Sequence, residues 1–261
     1  MEIFVLLAIL LIVMAGLVVL TVEILIPRAI IALGKVDSWW SPLRTLPPPG
    51  EMYILVRGSK TGPFDGLIES VLDHEYRHQS HEFRVLSQSE LEELPERSYL
   101  ESLGVAWVGF FRYLFYREVR HDKWEKLPDV PNQPPSTEFG VVSKVRPGPS
   151  IFFRYNMATE VKAAETIGNF PVDGIVVFTV QIHNPVQAFF FAGGWEAQTT
   201  ASVQGVFRQY VGNKDINQLR AEQATGADTL VASIKQLSEG TVLEGGLRSL
   251  FGVEVIDARF V

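Results

Sequence analysis

The chain contains no cysteine among its 261 residues. This absence excludes disulfide bonds, thiolate zinc sites and cysteine nucleophiles. It fits a reducing compartment without establishing one, because many extracytoplasmic proteins also lack cysteine. No Asn-x-Ser/Thr sequence occurs either, so glycosylation gives no indication of the compartment.

Positive charge is also scarce. The chain has 23 Lys and Arg against 30 Asp and Glu, which gives a formal net charge of −7 and a pI near 5.3. Binding to nucleic acid needs a basic stripe or patch. We therefore expect no nucleic-acid partner.

One long segment lacks charge altogether. The run from Ile3 to Val22 is uncharged, and Glu23 is the first charged residue after it. About 20 apolar residues, each rising 1.5 Å along a helix, match the roughly 30 Å hydrocarbon core of a bilayer. A cleaved signal peptide and a buried core helix are alternatives, but the segment has no basic start and no Ala-x-Ala site. We predict a transmembrane anchor over residues 1–26, with the lipid bilayer as its partner.

The orientation of this anchor follows from few charges. Arg28, Lys35 and Arg44 come soon after the span, whereas only the amino terminus and Glu2 precede it. The positive-inside bias favours a single-pass protein with a cytoplasmic body. The opposite topology stays open.

Residues 27–50 are predicted to form a juxtamembrane segment and a proline-rich spacer. Pro27 should kink or end the span, and residues 29–33 could continue as an apolar stub at the membrane interface. Trp39 and Trp40 fit either the headgroup layer or packing on the soluble domain.

The body after residue 50 shows strands first, helices later and a final strand, which predicts an α+β fold. Residues 66–94 look helical or irregular. Strands are predicted at 52–56, within 105–119, and at 138–146, 151–154, 158–166, 171–182 and 253–256. Helices are predicted at 197–211, after an N-cap at Asp215, and at 229–237 and 242–250, with Gly252 ending the last helix.

A loop rich in proline, at 127–136, is the best candidate for a boundary inside the body. It divides an N-terminal subdomain, 51–137, from a C-terminal subdomain, 138–261.

The second half resembles the SPFH or band 7 domain of stomatins, prohibitins and flotillins. Three segments from about Phe152 onward carry the likeness: VKAAETIGNFPVDGIVVFTVQIHNPVQAFF, ASVQGVFRQYVGNKDINQL and LRSLFGVEVIDARFV. The order of an N-terminal anchor, then Pro-Gly-Glu and a strand, is also similar. Residues 66–137 are longer than the family's segment between the first strand and the strand pair, which indicates an insertion. The chain stops at Val261, before the coiled coil typical of the family. Either the sequence is truncated or this assembly element is missing, which puts ring or cage formation by this chain in doubt.

This resemblance implies an SPFH-type domain, mostly antiparallel sheet with helices packed on it. It also implies a membrane scaffold that associates laterally with other copies and organises microdomains or regulates a membrane protein such as a protease. A single anchor confines copies to two dimensions and raises their effective concentration. Such a protein is not an enzyme, and we expect no catalytic residue, no cofactor and no metal site.

The sharpest rival signal is His74-Glu75-Tyr76-Arg77-His78, a literal H-E-x-x-H. On a helix, His74 and His78 lie one turn apart and can share a zinc ion while Glu75 activates water. His81 continues the same helical face. Polar neighbours and the lack of a marked third ligand favour a solvated surface segment. A membrane-tethered zinc metalloprotease is the alternative function.

Other motifs have simpler interpretations. The segment Gly58–Gly62 (GSKTG) resembles a phosphate loop but more closely fits a turn after the first strand. His121 and His183 are expected to be structural. The acidic run at 90–96 indicates a solvated face. The aromatic residues of the 107–116 segment are predicted to lie in the core or at a protomer contact, with lipid contact as the alternative (Trp107, Phe110, Phe111, Tyr113, Phe115 and Tyr116).

Overall fold

The computed structural model describes residues 13–35, 41–60, 62–95, 97–128, 137–146, 148–225, 228–240 and 245–261. The chain has a mixed α+β architecture with an apolar N-terminal helix and antiparallel strand pairs. It divides into two compact units: Met1–Ser70 with Ser87–Phe115, and Val71–Leu86 with Tyr116–Val261. The predicted subdomains, 51–137 and 138–261, stay a prediction.

The elements alternate between the units along the chain. The strands are β1 Leu43–Thr45, β2 Glu51–Arg57, β3 Phe64–Glu69, β4 His74–Arg77, β5 Glu82–Val85, β6 Val105–Trp107, β7 Arg112–Leu114, β8 Val119–Lys126, β9 Phe139–Arg146, β10 Ser150–Phe152, β11 Arg154–Glu165, β12 Pro171–Ile182 and β13 Val253–Phe260. The helices are α1 Val13–Gly34, α2 Gln88–Glu92, α3 Tyr99–Ser102, α4 Trp195–Gly212, α5 Ile216–Thr225, α6 Asp228–Glu239 and α7 Gly246–Phe251. A π-helical turn, Gln187–Phe191, precedes α4.

The first unit begins with α1, which passes through Pro27. A π-helical turn, Thr21–Leu25, directly precedes the α-helical segment Ile26–Gly34, and Pro27 lies in the first turn of that segment. Pro27 has no N–H to donate, and the π-helical turn before it, in which the Ile26 N–H donates to the Thr21 carbonyl, accommodates the proline inside α1. The expectation that Pro27 ends the span is wrong, because residues 29–33 continue the helix, and the alternative of a kink stays a prediction.

The strands of the first unit build a small core. β2 pairs with β3 and with β7, and β1 pairs with β6, all antiparallel. Leu55, Ile68, Val108 and Leu114 form a buried apolar cluster. The strand predicted at 52–56 is confirmed as β2. The segment 105–119 forms strands, but β6 and β7 each pair with an earlier strand rather than with one another.

The prediction for residues 66–94 is largely wrong. This stretch contains most of β3 and the whole β4–β5 hairpin, and its helix is the short α2. Along β4, burial alternates between His74 and Tyr76, which are buried, and Glu75 and Arg77, which are exposed. Many of these side chains are polar, so the alternation of burial does not appear in the sequence as apolar periodicity.

The second unit has a three-stranded antiparallel sheet in the order β11–β12–β13. Helix α4 packs on β11, and α6 packs on β13. β8 and β9 form a separate antiparallel ribbon that contacts β11. The predicted strands at 138–146, 158–166, 171–182 and 253–256 are confirmed within a few residues at their ends.

The helix ends follow the predicted capping. The Asp215 carboxylate accepts hydrogen bonds from the backbone N–H of Asn217 (2.8 Å) and Gln218 (2.9 Å), which starts α5. Gly252 ends α7 with φ 65°. A Cβ there would also lie 2.4 Å from the Asn184 carbonyl oxygen, so both the backbone angle and the space select glycine.

Candidate functional site

Helix α1 of the first unit carries a long exposed apolar surface. This helix has 22 described residues and a mean hydropathy of 2.2, and none of its most apolar stretch is buried. At 1.5 Å per residue it is about 33 Å long, which is enough to cross a hydrocarbon core. The helix is thus long and apolar enough to span a membrane, although an N-terminal signal sequence has the same properties.

The last two turns of α1 pack on the ribbon made by β1 and β6. Gly34 is buried, and Pro27, Ile30 and Ile31 are half-buried along the same face. A Cβ on Gly34 would lie 3.1 Å from a Val105 methyl carbon, so glycine allows this close approach. The hydroxyl of Ser41 donates to the Leu33 carbonyl at 3.1 Å.

The aromatic residues of the 107–116 segment divide into two groups. Trp107, Phe110, Phe111 and Tyr116 are more than half exposed (61%, 57%, 60% and 51%), whereas Tyr113 and Phe115 are half-buried. The core interpretation is therefore wrong for the four exposed residues. Contact of these rings with lipid or with another protomer stays a prediction. Trp39 and Trp40 lie outside the described residues.

The HEYRH segment, in the second unit, is a strand followed by a turn, so its residues do not share one face as they would on a helix. His74 is buried, and the Glu75 carboxylate points to the other face, where it accepts from Arg84 Nε at 2.7 Å. His78 is exposed beside the Tyr76 ring. The described part of the chain contains no group of three His, Asp or Glu side chains that could hold a metal ion. The geometry on which the zinc interpretation depended is absent from this segment.

His74 belongs instead to a closed polar network. The Gln181 side-chain oxygen accepts from Arg154 Nε at 3.0 Å, which turns the amide nitrogen toward His74 Nε2 at 3.1 Å. His74 Nε2 is then an acceptor, and the proton lies on Nδ1, which faces an Asp73 carboxylate oxygen at 3.0 Å. The Nδ1–H direction does not align well enough for a hydrogen bond, so this contact is mainly electrostatic.

Asp73 completes the network through Arg154 Nη2, at 3.4 Å. Burial alone raises the pKa of Asp73, but the contacts with His74, the backbone and Arg154 together lower it below the usual value. Phe153 and Phe83 pack around the same place, with the Phe153 ring 4.8 Å from the His74 ring. Through its contacts with Gln181 and Asp73, the buried imidazole joins the β4–β5 hairpin to the sheet.

His183 is buried and His121 is half-buried, and the expectation that both are structural stays a prediction. The pKa of His183 is lowered, first by burial and then by the charge of Arg248, whose guanidinium lies 3.3 Å from Nδ1. The pKa of His121 is lowered by burial and by Lys123, and its ring lies against Tyr155. Burial favours the neutral form of both imidazoles.

A polar cleft of about 540 Å³ lies in the second unit, where α4 faces β8 and β9. Its charged groups contact close neighbours: the Ser143 hydroxyl donates to Asp122 at 2.5 Å, and Arg117 lies 3.7 Å from Glu196. Burial raises the pKa of Glu196. Ser143 bonds to the aspartate directly, without the intervening histidine of a nucleophilic triad. Sequence analysis missed this cleft, because its residues come from distant segments and form no motif.

The remaining motifs are local structures. Gly58 has φ 80°, and the Gly62 N–H donates to the Ser59 carbonyl at 3.0 Å, which makes the predicted turn after β2. In the acidic run, Glu90 lies in α2 and forms a capping box with Ser87. Glu96 lies outside the described residues. The pattern Ser-x-x-Glu at 87–90 is a sequence signal for the start of this helix.

Comparison with known proteins adds no identification. No protein-family model matches the chain, and no curated protein matches it.

Proposed function

We propose that the chain is a single-pass membrane scaffold of the SPFH or band 7 type. Its body associates laterally with other copies and organises the surrounding membrane or regulates a membrane protein such as a protease. The observation that carries this proposal is α1, an apolar helix of spanning length that is exposed along most of its length. An exposed apolar surface of this size needs a lipid or protein environment.

Two further features support the scaffold part. The second unit places two long antiparallel strands before helices and a last strand, in the order that the resemblance implies. Among the described residues, β13 pairs only with β12, and the Val255 N–H of β13 donates to the Ser238 hydroxyl of α6 at 2.9 Å. Lateral contact between copies is effective when an anchor concentrates them in two dimensions.

Self-association is tested with the full chain in vesicles. We expect a short amine-reactive crosslinker to give dimers and larger species, and dilution with lipid at constant protein to reduce them. Only monomers at every protein-to-lipid ratio would reject the scaffold. Crosslinks to a second membrane protein in native membranes would identify a regulated partner.

The cytoplasmic orientation is part of the proposal. The variant Phe170→Cys adds the only thiol to the chain, at a side chain that is 61% exposed. In intact cells, a membrane-impermeant maleimide should label it only after permeabilisation. Equal labelling before permeabilisation would place the body on the outer side.

A further inference from the structure

We propose that the aromatic turn of the first unit, Trp107–Phe111, inserts into the headgroup and upper acyl layer of the bilayer beside α1. This inference rests on the anchor in the proposed function and does not require self-association. The sequence allowed three environments for these aromatic residues: the core, a contact with another protomer, or lipid. The inference assigns them to lipid.

The turn presents apolar rings to its surroundings. Trp107 and Phe110 lie edge to face, with ring centroids 6.1 Å apart, and each is more than half exposed. Phe111 has φ 63°, an angle that L residues rarely adopt, and its side chain is 60% exposed. A backbone held in this region to present a large apolar ring is typical of a functional surface.

The turn lies close to the membrane-spanning helix. Gly34 packs against Val105, and Trp107 follows two residues later on β6. At about 3.3 Å per strand residue, the Trp107 backbone lies roughly 7 Å from this contact. The fixed packing of α1 on the ribbon therefore holds the turn within a short distance of the helix.

Both ends of the ribbon lie against the C-terminal turns of α1. The pair Thr45–Val105 lies beside Gly34, the last residue of α1, and the pair Leu43–Trp107 is at the other end of the ribbon. The Ser41 hydroxyl, two residues before Leu43, donates to the Leu33 carbonyl. Because β1 and β6 both contact this part of the helix, the Trp107 end of the ribbon also stays close to α1.

The body begins close to the headgroup layer. Half-burial begins at Pro27, four residues after Glu23, the first charge beyond the apolar run. Four helical residues rise about 6 Å, which is comparable to the thickness of one headgroup layer. Tryptophan and other aromatic rings prefer this layer, where an apolar body meets polar headgroups.

The experiment uses the full chain, which has no native cysteine. The variant Phe110→Cys carries an environment-sensitive fluorophore in vesicles of phosphatidylcholine and phosphatidylglycerol. The matched control is Tyr99→Cys, since Tyr99 is similarly exposed, at 59%, and α3 leads into the Val105 end of the ribbon. Resistance to alkaline carbonate and far-UV circular dichroism first show that both variants are anchored and folded.

We expect a nitroxide on the lipid acyl chain to quench the label at position 110 at least about twofold more than the label at 99, because only the aromatic turn enters the lipid. Iodide in the aqueous phase should quench the label at position 99 more than the label at position 110. Equal quenching at both positions would overturn the inference, and so would disulfide-linked dimers of Phe110→Cys with no lipid quenching. Loss of both variants from the vesicles would instead reject α1 as the membrane anchor. Failure of the anchor is therefore distinguished from failure of the inference about the aromatic turn.

Discussion

At the scale of single residues, the second unit replaces an apparent zinc motif with a buried polar network. His74, Gln181, Arg154 and Asp73 each contact the next, and the arrangement fixes which imidazole nitrogen carries the proton. Buried polar groups stabilise a fold when they are paired and destabilise it when one partner is removed. The network therefore makes a specific prediction about Gln181.

Gln181→Leu should lower the free energy of unfolding by about 1–3 kcal/mol, because His74 Nε2 loses its donor inside the protein. Thr179→Val is the matched control on the same strand. It removes only the exposed hydrogen bond to Asn156, so its effect should be smaller. Urea unfolding of both variants measures the difference. Equal losses would show that the network does not stabilise the unit.

His183 should make stability depend on pH. Its pKa in the folded chain lies below the ordinary 6.5, because burial and the charge of Arg248 outweigh the opposing carboxylates of Glu82 and Glu254. Below about pH 6.5 the unfolded chain binds the proton more readily, so stability falls as the pH decreases through this range.

The unfolding temperature should therefore fall between pH 7 and pH 5, and the fall should be smaller in His183→Gln. His121 contributes with the same sign and remains in the variant. Arg248→Gln, which removes the nearby positive charge, should also reduce the dependence. If the unfolding temperature fell by as much in both variants as in the unsubstituted chain, the assignment of this pH dependence to His183 would be contradicted.

At the scale of elements, close approach between a strand and a helix positions the sheet of the second unit. A Cβ on Gly174 of β12 would lie 2.6 Å from the Phe207 ring of α4. Phe207 is itself buried and contacts the Phe260 ring of β13. The missing side chain at Gly174 thus allows α4 to pack against the sheet.

Gly174→Ala should reduce stability by about 1–3 kcal/mol through overpacking. Gly205→Ala provides the opposite case, since no described atom lies within 4 Å of a Cβ at this position of α4. It should increase stability by about 0.5–1 kcal/mol, because alanine is the better helix former. Thermal unfolding of both variants checks the pair, and a destabilised Gly205→Ala would count against the packing described here.

At the scale of the whole molecule, α1 is long and apolar enough to span a membrane. Leu17 and Val18 are about half exposed on this helix. Replacing both with arginine should release much of the protein from membranes at alkaline pH, because each central arginine opposes insertion by about 2.5–3.5 kcal/mol. The control, Leu17→Ile with Val18→Ile, should remain in the membrane pellet. Full retention of the arginine variant would show that this helix does not span.

The sequence by itself determined the features that depend on neighbouring residues. The length of the uncharged apolar run predicts α1, and the alternation of side chains predicts β12. The Asp215 carboxylate caps α5 because it reaches the N–H groups two and three residues away. Such interactions are local, so a short window of sequence contains both partners.

Only the tertiary structure decided what depends on distant residues. HEYRH is a strand whose first histidine contacts Gln181, 107 positions away. The rings of the aromatic turn are exposed because β6 and β7 pair with β1 and β2 rather than with each other. Composition gives the chemistry of these side chains, but long-range packing decides whether they are buried or exposed.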